Sequence, residues 1–330
     1  MKSDRLIYDE PDANTVFLYI NGKQGFHVDK NILAEQIDLT RFKIISNEIY
    51  CKSFTYEELK NILPVMANVV RYDSLFLDFY KTSCLDIVML LNSACKLAAK
   101  KTITLLKDRV FEIITMSDYL SFSKNEELHL DVKYFFAHFE FEMMDWCKRS
   151  QYGLGAQLRD KYIDGKWGEI VKLNNGAYEL FFCSALFDSM LQMMALLQIC
   201  GRRIEKIRAC DITCNQFKKI ISLDNGFRSF HVERYCYYYS EDEKADFNNC
   251  ILEFVKQSLL LHEMNNEMFK MPSEIEQEIK AILDTRIARS KFFNKAGLLL
   301  FASRNDCKSL VYGLPKDCFR SVAKLSYVHD

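Results

Sequence analysis

Five of the chain's 11 glycines (Gly153, Gly155, Gly165, Gly168, Gly176) fall in one short stretch, where Asn174-Asn175-Gly176 adds a turn cluster. Glycine tolerates left-handed backbone and weakens helix and strand interiors, so a cluster of this kind divides a chain. The 330 residues are therefore expected to form two domains, 1–150 and 151–330, each of ordinary size. Outside the cluster glycines are scarce, and prolines number only 4. That scarcity favours helices and excludes collagen-like and disordered classes.

Charge narrows the partners. Lys plus Arg total 44 against 45 Asp plus Glu, a net charge of -1. A general phosphate-backbone binder carries a basic excess, so nucleic acid is not the expected ligand. The Met1-Lys2-Ser3-Asp4-Arg5 opening, with Asp9, Glu10 and Asp12 behind it, holds no apolar h-region, so no signal peptide is expected. The 12 cysteines are then read as reduced thiols of a cytoplasmic or nuclear protein. Leu180–Cys200 is the most membrane-like stretch, but Asp188, Gln192 and Gln198 interrupt it. It reads as a buried core helix, with no membrane partner.

Patterning supplies the elements. Thr15-Val16-Phe17-Leu18-Tyr19-Ile20 suits a strand, Asn21-Gly22 a hairpin turn, and 24–28 the returning strand. Asp29 is placed to cap a short helix, and a third strand is expected within 42–50. Thr55 and Glu58 have capping-box spacing before Leu59, Ile62, Leu63 and Met66, with Pro64 expected to kink or restart that helix. An amphipathic run from Leu85 to Ile103 turns Lys96, Lys100 and Lys101 outward, and 126–147 reads as a further helix. Helices are expected over 178–207, 211–223, 245–270 and 273–294, with Tyr235–Tyr239 a strand or an aromatic loop. Leu85-Asp86 and Phe187-Asp188 each precede a long apolar helix ending in a basic pair. Two explanations stand side by side, a duplication and two unrelated amphipathic helices.

Residues 14–147 resemble the Skp adaptors of SCF ubiquitin ligases, which have a BTB/POZ fold. Leu85-Asp86-Ile87, Leu90-Leu91, Ala94-Cys95-Lys96 and Ala99 repeat the family's Leu-Asp-Ile-x-x-Leu-Leu and Cys-Lys-x-x-Ala spacing, and Trp146-Cys147 falls where such chains end in a Trp-Cys pair. The resemblance implies a Skp-like BTB/POZ module with a small sheet; with the patterning of the later residues, the expected chain is helix-rich α+β, that module followed by a mostly helical second domain, read alternatively as a degenerate repeat of the first. The resemblance also implies a non-catalytic interaction adaptor, a diverged subunit of a cullin-based ligase, with a cullin or an F-box protein as partner. The alternatives are a BTB-type oligomerisation scaffold that binds its own copies, and a binder of nucleic acid or an acidic ligand. Ser83 and Cys84 replace the family's cullin-touching Asn-Tyr pair, and Lys107-Asp108-Arg109-Val110-Phe111 replaces its Gly-Lys-Thr-Pro-Glu-Glu-Ile turn. The residues expected to meet partners are Ser83, Cys84, Phe111, Ile114, Tyr134, Phe135 and Trp146.

Reactive chemistry has little footing. Cys210-x-x-x-Cys214 with His231 and Cys236 offers four zinc-type donors, but in no standard finger spacing. The six histidines are scattered, and no Walker loop, dinucleotide glycine motif or nucleophile elbow occurs. No catalytic residue, metal or cofactor is expected. Arg202, Arg203, Lys206 and Arg208 form the basic cluster on which the acidic-ligand alternative rests.

Overall fold

A computed structural model of the chain describes residues 7–8, 14–20, 25–37, 44–45, 48–51, 53–75, 82–164, 170–223, 227–233 and 239–305. The fold is α+β and helix-rich. It divides into two compact units, Met1–Lys166 with Gln192–Gly201, and Trp167–Leu191 with Arg202–Asp330.

The first unit opens on β1 (Ile7–Tyr8), β2 (Thr15–Tyr19) and β3 (Gly25–Asp29), followed by α1 (Lys30–Gln36). Thr15 pairs with Asp29 and Tyr19 with Gly25 in an antiparallel hairpin; the Asn21-Gly22 turn lies outside the described residues. Alternation puts Val16, Leu18, Phe26 and Val28 into the core. The Asp29 carboxylate accepts the Asn31 and Ile32 amides and so starts α1. The expected third strand is two short ones, β4 (Ile44–Ile45) and β5 (Glu48–Tyr50), antiparallel to each other. β5 returns parallel to β2, which gives the order β1-β3-β2-β5-β4.

Helices then cover this sheet. α2 (Tyr56–Tyr72) starts at a complete Thr55–Glu58 capping box and runs unbroken through Pro64. The helix does not restart at the proline: Leu63, Val65 and Met66 around it are buried, and that packing outweighs one lost backbone bond. The run expected from Leu85 to Ile103 is two helices, α3 (Cys84–Leu97) and α4 (Lys100–Ile113), because Ala98 takes a left-handed conformation at φ 56°. Next come α5 (Met116–Phe122), α6 (Leu130–Ala137), α7 (Phe139–Arg149) and α8 (Gly153–Leu158), the last running into a π-turn at Arg159–Ile163. His138 splits the single helix expected over 126–147. Gly155 lets α8 approach α7: a Cβ there would overlap the Ser150 side chain and sit 3.0 Å from the Trp146 ring.

The second unit holds more helix than strand, as expected, but adds a five-stranded sheet to the expected helices. Its sheet, ordered β10-β9-β8-β7-β6, is built from β6 (Ile170–Lys172), β7 (Tyr178–Cys183), β8 (Ile204–Cys210), β9 (Ser229–Glu233) and β10 (Glu263–Asn266). β6 and β7 are antiparallel, and every later pairing is parallel. Helices α9 (Phe187–Ile199), α10 (Cys214–Ser222) and α11 (Glu241–Gln257) alternate with these strands, and α12 (Ser273–Asn305) closes the described chain. The helix expected over 178–207 is thus strand, helix and strand, and that expected over 245–270 ends as β10. Tyr235–Tyr238 lie outside the described residues.

A repeat appears here that the helical reading concealed. Ala177-x-x-Leu180-x-Phe182, Ile204-x-x-Ile207-x-Ala209, Phe227-x-x-Phe230-x-Val232 and Leu261-x-x-Met264-x-Asn266 share one apolar-x-x-apolar-x-apolar frame, closing on a polar Asn266 in the last copy. Leu180, Ile207, Phe230 and Met264 fall in one cross-strand row, as do Phe182, Ala209, Val232 and Asn266. Strand–helix repeats of this kind stack a continuous core. Phe217, Phe227, Phe230, Phe247 and Phe254 fill it, with Phe217 5.1 Å from Phe230 and 5.2 Å from Phe247 between ring centres. Among the described residues no helix is long and apolar enough to cross a membrane.

Candidate partner-binding surface

α3 carries the surface. Ser83 caps it: its hydroxyl accepts the Asp86 amide at 3.2 Å, and the Asp86 carboxylate accepts the Ser83 amide at 3.0 Å. Ile87, Val88, Leu91, Ala94 and Cys95 point into the core. On the other side Leu85 and Met89, one turn apart, stand 55% and 44% exposed. Between this face and the start of α2 lies a groove of about 490 Å³, with Val65, Met89 and Leu90 on its floor and Glu57, Glu58 and Asp86 on its rim. Lys96, expected to point outward, instead reaches Glu58 at 2.6 Å and ties α3 to α2. Burial raises the Glu58 carboxyl, but Lys96 and the Thr55 hydrogen bonds outweigh it and hold the group below its ordinary range.

The expected contact residues separate into two groups. Ser83 is exposed at the start of α3, and Cys84 beside it is half-buried. Burial, with Asp118 adding, pushes the Cys84 thiol up to about 12, so it is a neutral packing group and a poor nucleophile. Tyr134 is 55% exposed, and its ring lies tilted against that of His138 with centres 4.1 Å apart. Phe111, Ile114, Phe135 and Trp146 are core residues, not contact residues, each at most 3% exposed. Phe111 lies 5.4 Å from Phe135, 5.1 Å from Phe139 and 5.0 Å from Trp146 between ring centres.

The chain itself also comes to this end of α4. The Gln192 amide donates to the Phe111 carbonyl at 3.0 Å and the Ile114 carbonyl at 3.2 Å, and Cys200 meets Met143 at 3.9 Å. These contacts explain why Gln192–Gly201 belongs to the first unit. Sequence reasoning missed the Leu85–Met89 pair because it placed only Lys96, Lys100 and Lys101 on the outward side of that run. The usable signal was their spacing of four, out of phase with Ile87, Leu91 and Ala94.

Other groups with possible chemistry are tied down. Cys95, His129 and Asp131 bring ligand atoms within 4.8 Å of one another. His129 Nδ1 accepts the Asp131 amide at 3.2 Å as the α6 cap, which places the ring proton on the other nitrogen and leaves neither free to ligate while the cap holds. Burial also pushes the Cys95 thiol up to about 12. These residues fit a metal poorly. Of the zinc-type donors, Cys210 ends β8, Cys214 begins α10, His231 Nε2 lies 2.9 Å from the Ser229 hydroxyl, and Cys236 is outside the described residues.

The basic cluster is neutralised in place. Arg203 reaches Glu205 at 2.8 Å, Arg208 donates to Glu233 at 2.6 Å, and Lys206 lies 3.9 Å from Glu179. Such pairs leave little charge to offer phosphate. The pairs Glu140–Tyr162 and Glu142–Lys107 likewise serve packing, the second with its ammonium 5.2 Å above the Phe135 ring. Compared with known proteins, the chain matches no family model, no curated protein and no solved structure.

Proposed function

We propose that the chain is a non-catalytic protein–protein interaction adaptor, a diverged Skp-like subunit of a cullin-based ligase, which meets its partner through the α3 face. The observation that carries this reading is the exposed Leu85–Met89 pair beside the α2–α3 groove, on a helix whose other side is wholly buried. Two leucine-sized side chains left about half in water forgo roughly 0.7–1.5 kcal/mol each relative to full burial, and a partner's apolar surface recovers it. The first unit's order also suits a BTB/POZ module: hairpin, crossover helix, a strand returning parallel to the first, then helices. Connectivity lends the duplication no support, since strand β8 follows α9 where helix α4 follows α3.

Ser83 and Cys84 lie at one end of the exposed face, so a cullin contact there is made with smaller side chains than the family uses. The test is co-purification with the tagged chain, repeated with Leu85→Glu/Met89→Glu. A cullin or F-box protein should be recovered with the parent chain and lost with the variant, at unchanged thermal stability. Recovery of neither removes the ligase reading. A solution mass of two chains that the variant halves would assign the face to self-association instead.

A further inference from the structure

In the second unit the sheet ends at β10, whose backbone shows which of its groups are spoken for. The Glu263 amide donates to the Arg228 carbonyl at 2.8–3.1 Å together with that of His262, and the Glu267 amide donates to the Val232 carbonyl at 2.8 Å. In a parallel ladder one residue's N–H and C=O point to the same neighbour, and alternate residues point the other way. Glu263, Asn265 and Glu267 therefore face β9, while Met264 and Asn266 direct their N–H and C=O groups away from it. Among the described residues nothing pairs with that edge.

Beside the free edge runs a groove of about 490 Å³ between β10 and α12. Phe269, Ile279 and Leu283 form its floor and are at most 8% exposed. On the α12 wall stand Glu276, Lys280 and Asp284, all exposed and none in an ion pair among the described residues. Two unpaired carboxylates thus flank one ammonium. Edge amides without partners invite pairing with another chain, and native sheets usually block them with proline, charge or a cover. Here the edge adjoins an apolar trough instead.

We propose that β10 accepts an extended peptide of a partner protein as an added strand, with apolar side chains at alternate positions reaching Phe269, Ile279 and Leu283, and a Lys or Arg among the others meeting Glu276 and Asp284. Main-chain bonds to Met264 and Asn266 supply the pairing, and the trough reads every second side chain. The site is separate from the α3 face, so each reading stands or falls alone.

Fluorescence polarisation with a labelled Val-Lys-Val-Thr-Val-Lys-Val peptide tests it on the full chain. Saturable binding is expected, weaker when Glu replaces Lys in the peptide. Methylating the alternate peptide amides that face β10 should weaken binding roughly two- to tenfold per lost hydrogen bond. Met264→Pro, which removes one outward N–H and leaves the β9 ladder intact, should act alike. The methylated peptide leaves the protein unchanged and so decides the matter even if that variant misfolds. No binding up to about 1 mM, or binding indifferent to methylation, overturns the proposal. So does slow amide exchange at Met264 and Asn266 in the free monomer, which would mean that the chain covers its own edge. A dimer abolished by Met264→Pro would give the edge to a second copy and equally overturn it.

Discussion

Phe111→Ala separates the two readings of the aromatic cluster. If Phe111 were a contact residue, truncating it would leave the fold alone and weaken binding. The structure places it fully buried against Phe135, Phe139 and Trp146. Removing a buried phenylalanine costs about 3–5 kcal/mol, made up of lost transfer free energy and the cavity left behind. For a domain of this size each kcal/mol moves the midpoint by roughly 2–4 °C, so a fall of roughly 6–20 °C is expected. The chain has 2 tryptophans, so Trp167→Phe leaves Trp146, stacked on Phe111 at 19° between ring planes, as the one tryptophan, excited selectively beyond the tyrosine absorption band. Thermal and urea unfolding followed by that fluorescence measure the loss. Exposed Tyr134→Ala is the control and should stay within about 0.5 kcal/mol. A Phe111→Ala loss under about 1 kcal/mol would refute the assignment of this cluster to the core.

Gly155→Ala should destabilise the first unit by about 1–3 kcal/mol, because the new methyl group overlaps Ser150 and crowds Trp146; denaturant midpoints check it. The Glu58 carboxyl is held below its ordinary value, so its ionised form favours the fold. That support is present above the ordinary glutamate range and fades as pH falls through the lowered folded value; Lys96→Met should flatten this acid limb of stability against pH. Cys51, Cys95 and Cys147, whose thiols burial pushes up to about 11, 12 and 12, should resist iodoacetamide at pH 8 in the native chain and react fully in urea, as mass spectrometry would show.

The first unit was more legible than the second, and particular residues say why. Alternation at Val16, Leu18, Phe26 and Val28, the Asp29 cap and the Thr55–Glu58 box are local signals, and each is realised. The break at Ala98 is not local in this sense. No glycine marks it, and it is fixed by how α3 and α4 pack. Tyr178–Cys183 is six residues long and apolar at five of them, too short for periodicity to distinguish strand from buried helix. Joined to the apolar Phe187–Ile199 it read as one helix. β8 was hidden differently: Glu205, Lys206 and Arg208 gave it a helical-looking charge pattern, although Lys206 and Arg208 find their partners across strands at Glu179 and Glu233. The contact residues were chosen for being aromatic, but aromatic residues are as much core as interface, and here the core took Phe111, Phe135 and Trp146.

What the fold satisfies and what it leaves unsatisfied then bear on function together. The thiols of Cys84 and Cys95 are held neutral, His129 is spent on a helix cap, and Arg203, Lys206 and Arg208 are matched by carboxylates. A chemical site needs groups poised away from their resting partners, and these are at rest. Leu85 is the contrary case. It sits in the first turn of α3, where an acidic or polar side chain would suit both the solvent and the helix dipole. One exposed leucine is ordinary. A leucine and a methionine sharing a face beside a groove, the leucine in a turn that favours charge, are a departure from local preference without a structural return inside the first unit. Met264 and Asn266 are the main-chain counterpart in the second, polar groups with no backbone partner among the described residues, beside an apolar trough. Departures of this kind are where a fold makes room for another molecule, so the adaptor reading rests on surfaces kept incomplete rather than on any reactive group.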